Sequence, residues 1–121
     1  MNFKTKKQRN RYNNLVPNGI PRYIRCYDNG GASADRYTVV FTGHYTGTDR
    51  NYWYISMSSN PFHCLGVGII DEAPRLIDKP SYKHLGKKIK HDSLPAECKT
   101  FVMSTYLYLW NFTDNEGYTL K

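Results

Sequence analysis

The chain has 121 residues, 40% hydrophobic and 22% charged. This is one domain's length with an ordinary globular balance, which excludes a wholly disordered protein. No apolar run approaches the roughly 20 residues of a membrane-spanning helix, and none follows the basic first residues as a secretory leader would require.

The net charge of +7 is unevenly placed. Residues 1–25 hold Lys4, Lys6, Lys7, Arg9, Arg11, Arg22 and Arg25 and no acid, whereas residues 26–121 hold ten basic and ten acidic groups. The pattern predicts a basic arm over residues 1–19, a neutral domain over 20–110 and a polar tail over 111–121. Such an arm either contacts an anionic partner or is simply solvated. The turn signals Pro17 and Asn18-Gly19 close it.

Residues 20–27 alternate as a strand does, with Ile24 and Cys26 on one side and Tyr23, Arg25 and Tyr27 on the other. Asp28-Asn29-Gly30-Gly31 predicts a turn. Residues 36–42 are β-branched and aromatic, with Tyr37, Val39 and Phe41 sharing a face, and complete an antiparallel hairpin. After a loop over 43–50, residues 51–57 predict a third strand with Trp53, Ile55 and Met57 on one face. Residues 58–61 break the pattern. Phe62–Ile70 is apolar and glycine-rich, a short strand or a packed loop. Residues 71–82 hold two prolines and read as irregular, and 84–89 as an extended edge.

Residues 94–110 predict a helix, with Pro95 and Glu97 suited to its first turn. Leu94, Cys98, Phe101, Val102, Thr105 and Leu109 form one stripe, and Met103, Leu107 and Trp110 a second, roughly opposite. The fold expected is α+β: a small antiparallel meander packed by one long C-terminal helix. The second stripe suggests a homodimer through Met103, Leu107 and Trp110, or an internal partner for them.

Three cysteines (Cys26, Cys64, Cys98) without a Cys-x-x-Cys pair suggest a reducing compartment rather than a disulfide framework. The four histidines lack zinc spacing, so neither metal nor cofactor is expected.

Several segments follow one another in a recognisable order: Tyr27-Asp28-Asn29-Gly30-Gly31, the run Asp35 to Gly43, Met57 to His63, His84 to Ile89, and Leu94 to Cys98. Over about residues 22–110 the chain resembles a family of small proteins encoded by tailed bacteriophages and prophages. The family is polar after Pro-Phe-His, with Gly, Gln and His. Here Cys64–Ile70 is apolar, which leaves no second histidine for shared chemistry. The resemblance implies a phage origin, a setting in the host cytoplasm and an accessory, counter-defence role; it implies no activity.

Three groups of residues could carry function. Asn29, Gly30, Gly31, Asp35 and Arg36 surround one turn, where glycine amides and a guanidinium could hold a phosphate, or where Arg36 could simply pair with Asp28 or Asp35. Ser58, Asn60, Phe62 and His63 follow a strand end, where Phe62 could stack on a ring and His63 could bind phosphate or act as a base. Lys4, Lys6, Lys7, Arg9 and Arg11, with Lys83, Lys87, Lys88 and Lys90, could contact nucleic acid. The first expectation is non-catalytic binding of a phosphorylated small molecule or a host defence protein. The alternative is nucleic-acid binding, and the third is a small hydrolase or transferase using His63. No membrane partner is expected.

Overall fold

The computed structural model describes residues 3–46, 51–73 and 85–110. The chain divides into two compact units, Tyr23–Val102 and Met1–Arg22 with Met103–Lys121.

The first unit is a five-stranded sheet. Its strands are β1 (Ile24–Asp28), β2 (Tyr37–Thr46), β3 (Asn51–Met57), β4 (Gly68–Ala73) and β5 (Lys87–Ile89), in the order β4-β3-β2-β1-β5. Every neighbouring pair is antiparallel. The expected meander of the first three strands is present. The strand expected over 36–42 runs on to Thr46, and its pairing with β3 shifts between Phe41 and Tyr45. Gly43 lies in that irregularity, where a Cβ would come within 2.7 Å of the Tyr23 side chain. The extended edge expected over 84–89 is β5, paired with β1; Lys83 and His84 lie outside the described residues.

Directly opposed residues share a face of an antiparallel sheet. Cys26, Val39 and Ile55 form one such row, and Tyr37 and Met57 belong to the next, all buried. The first half of helix α2 (Ala96–Leu109) covers this face: Cys98 and Val102 are fully buried, and the Phe101 ring lies where a Cβ on Gly68 would come within 2.6 Å of it. The Cys98 thiol donates to the Ser58 carbonyl over 3.2 Å. Burial pushes the Cys98 thiol up to about 11 and the Cys26 thiol to about 12, so both stay protonated and unreactive at neutral pH. On the opposite face Tyr27 and Val40 are buried under Tyr52, Tyr54 and Leu85, so central β2 is covered on both sides.

The second unit holds a helix where the sequence predicts only a basic arm. Helix α1 (Lys6–Leu15) occupies the basic arm. Its core-facing pattern is thin, since Tyr12 and Leu15 are its only apolar side chains. Thr5 and Gln8 start it as a reciprocal capping box: the Gln8 amide donates to Thr5 Oγ1 over 3.1 Å, and Gln8 Oε1 accepts from the Thr5 amide over 3.2 Å. At its other end the Leu15 carbonyl accepts from the Tyr106 hydroxyl over 2.9 Å and from the Arg22 amide over 2.8 Å. Leu15, Val16 and Tyr106 are buried. Leu107 is 4% exposed within the single chain, and the Trp110 carbonyl accepts from the Arg11 guanidinium. Of the second helix stripe, Leu107 is thus occupied internally.

Between β5 and α2 lies His91, whose side chain is 8% exposed. Among the described residues neither ring nitrogen has a hydrogen-bond partner; Asp92 Oδ1, at 3.8 Å from Nδ1, is too distant for one. Burial lowers the pKa of this imidazole, with Lys99 adding to the effect and Asp92 opposing it. The neutral ring is the folded form, so protonation favours the unfolded chain. The contribution is complete above the unfolded value near 6.5 and is lost as pH falls through the lower folded value. The unfolding midpoint is expected to fall between pH 7.5 and 5.5, and less so in His91→Phe, which removes two unmatched buried nitrogens. Equal slopes in thermal melts across that range would show that His91 does not titrate with unfolding.

Candidate functional site

The register brings two of the sequence-marked segments to one rim. Asp28, Tyr37, Met57 and Gly68 lie in a single row across β1, β2, β3 and β4. The β1–β2 turn and the β3–β4 loop therefore leave the same end of the sheet, with the start of β5 beside them, where Lys87 opposes Asp28. Asp28 and Gly68 are three strand spacings apart, roughly 14 Å.

The β1–β2 turn is closed by its own side chains. Asp28 Oδ1 accepts the Gly30 amide over 2.8 Å, and Asn29 Oδ1 accepts the amides of Gly31 and Ala32 over 2.9 and 3.0 Å. Asn29 Nδ2 donates to Ser33 Oγ, whose hydroxyl donates in turn to Asp35 Oδ1 over 2.6 Å. Arg36 meets Asp28 as a fork, Nε to Oδ1 at 2.7 Å and Nη2 to Oδ2 at 3.1 Å. Its guanidinium carbon also lies 5.2 Å from the Tyr37 ring centre. The Arg36 bond and the Gly30 amide hold the Asp28 carboxyl below its usual range. Thus the amides of Gly30 and Gly31 and the guanidinium of Arg36, the donors a bound phosphate would need, already serve carboxylate and amide oxygens of the turn.

The β3–β4 loop is similarly self-satisfied. The Ser58 amide donates to the Val67 carbonyl over 2.9 Å, and the Val67 amide donates to Ser58 Oγ over 2.9 Å. Asn60 Oδ1 accepts the Phe62 amide, and the Asn60 carbonyl accepts the His63 amide. Gly66 fits where a Cβ would lie 2.1 Å from the Asn60 carbonyl. His63 Nδ1 accepts the Leu65 amide over 3.1 Å, so that nitrogen is the acceptor of the neutral ring and Nε2 carries the proton. The Cys64 sulfur is 3.9 Å from the same Nδ1, whose lone pair is therefore not available to deprotonate it. No group of three His, Cys, Asp or Glu among the described residues could hold a metal. What this loop shows to solvent is apolar: Phe62 is 59% exposed although its ring lies 5.8 Å from that of Phe101, and Leu65 is 86% exposed. Leu65 has no sequence signal of its own, because an apolar run carries no sign of which residue will be displayed.

The basic residues form two groups. Lys4, Lys6, Lys7, Arg9 and Arg11 are exposed on and just before α1, and Lys87, Lys88 and Lys90 are exposed on and just after β5. Among the described residues no carboxylate pairs with Lys4, Lys6, Lys7 or Arg9.

The α1 charges are placed against the helix's own stability. Lys6 and Lys7 lie in the first turn, at the positive end of the macrodipole, with no acid there and no basic residue in the last turn. Lys6 and Arg9 are three apart, and Lys7 and Arg11 four apart, so like charges are neighbours. Each misplaced charge or like pair costs about 0.3–0.5 kcal/mol.

No protein-family model, curated protein or solved structure matches the chain.

Proposed function

We propose that this protein binds nucleic acid without catalysis, with α1 as the contacting element. One observation carries the reading: α1 concentrates cations where they oppose the helix dipole and one another, and an anionic polymer relieves both penalties. Local rules broken at a stability cost are expected at functional positions. The helix's ten residues span about 15 Å, and a major groove about 12 Å wide admits a helix. Asn10, Asn13 and Asn14 are exposed beside Arg9, and these side chains can bond to base edges or phosphate oxygens. Lys87, Lys88 and Lys90 add a second exposed cationic strip.

A phosphorylated small molecule at the β1–β2 turn is the weaker reading, because it would have to displace the Asp28–Arg36 fork and the side-chain oxygens that hold the glycine amides. The resemblance to phage proteins supports an accessory, counter-defence role in a host cytoplasm, in which a nucleic acid is the target.

The test is fluorescence anisotropy with labelled duplex DNA and RNA across a salt series. Four or five phosphate contacts predict a log–log slope near −4. Arg9→Gln or Lys7→Gln should each reduce that slope by about one and weaken binding to all sequences alike. No binding at low salt, or slopes unaltered by both substitutions, sinks the reading.

A further inference from the structure

The two edges of the sheet are built differently. Edge strand β5 has three residues, and Lys87 and Lys88 are exposed. A short, lysine-bearing strand is how native proteins keep an edge from pairing with another chain. Edge strand β4 has neither protection. It has six residues, contains neither Lys nor Pro, and pairs with β3 from Gly68 to Ala73 without a bulge. Its two isoleucines point to opposite faces, and both are bare, Ile69 at 53% and Ile70 at 50% exposure. Next to them the hydrogen-bonded β3–β4 loop displays Phe62 and Leu65, so little backbone entropy is lost when they are covered.

We infer that β4 pairs with β4 of a second copy of this chain, antiparallel about a two-fold axis at Ile70, to give a continuous ten-stranded sheet. Charge narrows the registers in which a second copy can pair. The carboxylates Asp71 and Glu72 lie at one end of the strand and Gly68, Ile69 and Ile70 at the other. Parallel in-register pairing would stack each carboxylate on its copy, and an antiparallel pair centred on Asp71 would oppose the two Asp71 side chains; both arrangements are unfavourable. A two-fold axis normal to the sheet keeps each face with itself, so even-numbered residues oppose even-numbered ones. Centring on Ile70 satisfies this condition and uses the whole strand. Ile70 then meets Ile70 of the second copy, Ile69 meets its Asp71, Gly68 its Glu72 and Val67 its Ala73. No acid faces an acid. A lone six-residue edge buries less than the 1,200–2,000 Å² typical of a stable interface, and Phe62 and Leu65, beside Val67, supply further apolar area. The dimer is independent of polyanion binding by α1.

The experiment is light scattering on the full chain at several concentrations, for the parent, Ile70→Lys and Ile69→Lys. The parent should give twice the chain mass of 14.1 kDa, and each lysine variant, folded by circular dichroism, the single mass. A doubly substituted chain, Cys64→Ser with Ile70→Cys, should form a disulfide-linked dimer on mild oxidation, because among antiparallel registers only the Ile70-centred one opposes that position to itself, and parallel pairing is disfavoured by its stacked carboxylates. A monomeric parent overturns the inference. So does a dimer that keeps its mass in both lysine variants, or one whose doubly substituted chain fails to cross-link; pairing of β4 with another protein or with residues 74–84 would give the first of these results.

Discussion

Tyr106→Ala is expected to lower the unfolding midpoint by roughly 12–20 °C, the shift that a loss of about 3–5 kcal/mol produces in a chain of this length. Tyr106 is fully buried, and its ring lies 6.2 Å from that of Trp110. Its hydroxyl donates to the Leu15 carbonyl across 91 positions of sequence. Within α1, Arg11 makes a second connection, to the Trp110 carbonyl, but this exposed contact does not replace a buried ring; the helix carries its cations between Lys6 and Arg11 and depends on its capping box and on the burial of Leu15. Tyr106→Phe keeps the ring and removes only the hydroxyl, and the Leu15 carbonyl still accepts the Arg22 amide. That change should cost about 1 kcal/mol. The pair also links packing to function. With α1 unlatched, the cations of Lys6 to Arg11 are carried by a fraying segment, and ordering it on nucleic acid weakens binding. Tyr106→Ala should therefore lose helical ellipticity and nucleic-acid affinity together, while Tyr106→Phe keeps both. A normal midpoint in Tyr106→Ala would show that α2 does not hold α1 through this residue.

The sheet was legible because its strands obey local rules that tertiary packing did not override. Tyr37, Val39 and Phe41 alternate, Asn29-Gly30-Gly31 marks the turn, and residues 51–57 form β3 as expected. Helix α1 was not legible from periodicity, since Tyr12 and Leu15 alone cannot define an apolar face. The one local sign was the Thr5-to-Gln8 capping spacing, whose meaning depends on a helix already being suspected. Leu107 shows the opposite difficulty. Its stripe was visible, but whether it is covered by another copy or by the same chain is a property of tertiary contacts. At the rim, the residue types were legible and their engagement was not. Asp28, Gly30 and Arg36 are the residues of an anion cradle and equally those of a turn that satisfies its own donors, and only the contacts themselves, Arg36 on Asp28 at 2.7 Å and the side-chain oxygens on the glycine amides, separate the two.

Gly86→Ala is expected to be far more damaging than Gly30→Ala, although both glycines have φ in the left-handed region, +86° and +75°. At Gly30 an added Cβ meets nothing within 4 Å, so the cost is the backbone strain alone, about 1 kcal/mol. At Gly86 the same strain is joined by a collision. The Cβ would lie 2.3 Å from the Asp28 carbonyl oxygen and 2.5 Å from Asn29 Cα, both main-chain atoms that cannot rotate away. The chain around Gly86 must retreat, and with it goes the start of β5, where Lys87 pairs with Asp28 and Lys88 with Tyr27. Leu85, on the near side of Gly86, packs against the Tyr27 and Val40 cluster and would be drawn away too. A combined loss of about 3 kcal/mol or more corresponds to a fall of roughly 12 °C, against about 4 °C for Gly30→Ala. Hydrogen exchange should locate the damage: amides of β5 and the β5-facing side of β1 lose protection in Gly86→Ala, while those of β2 and β3 keep it. Equal midpoints for the two variants would mean that strain dominates and that Gly86 is not held against the Asp28–Asn29 backbone. In that case β5 would not be locked to β1 through this contact, and Lys87 and Lys88 would lose their claim to a fixed place on the basic strip.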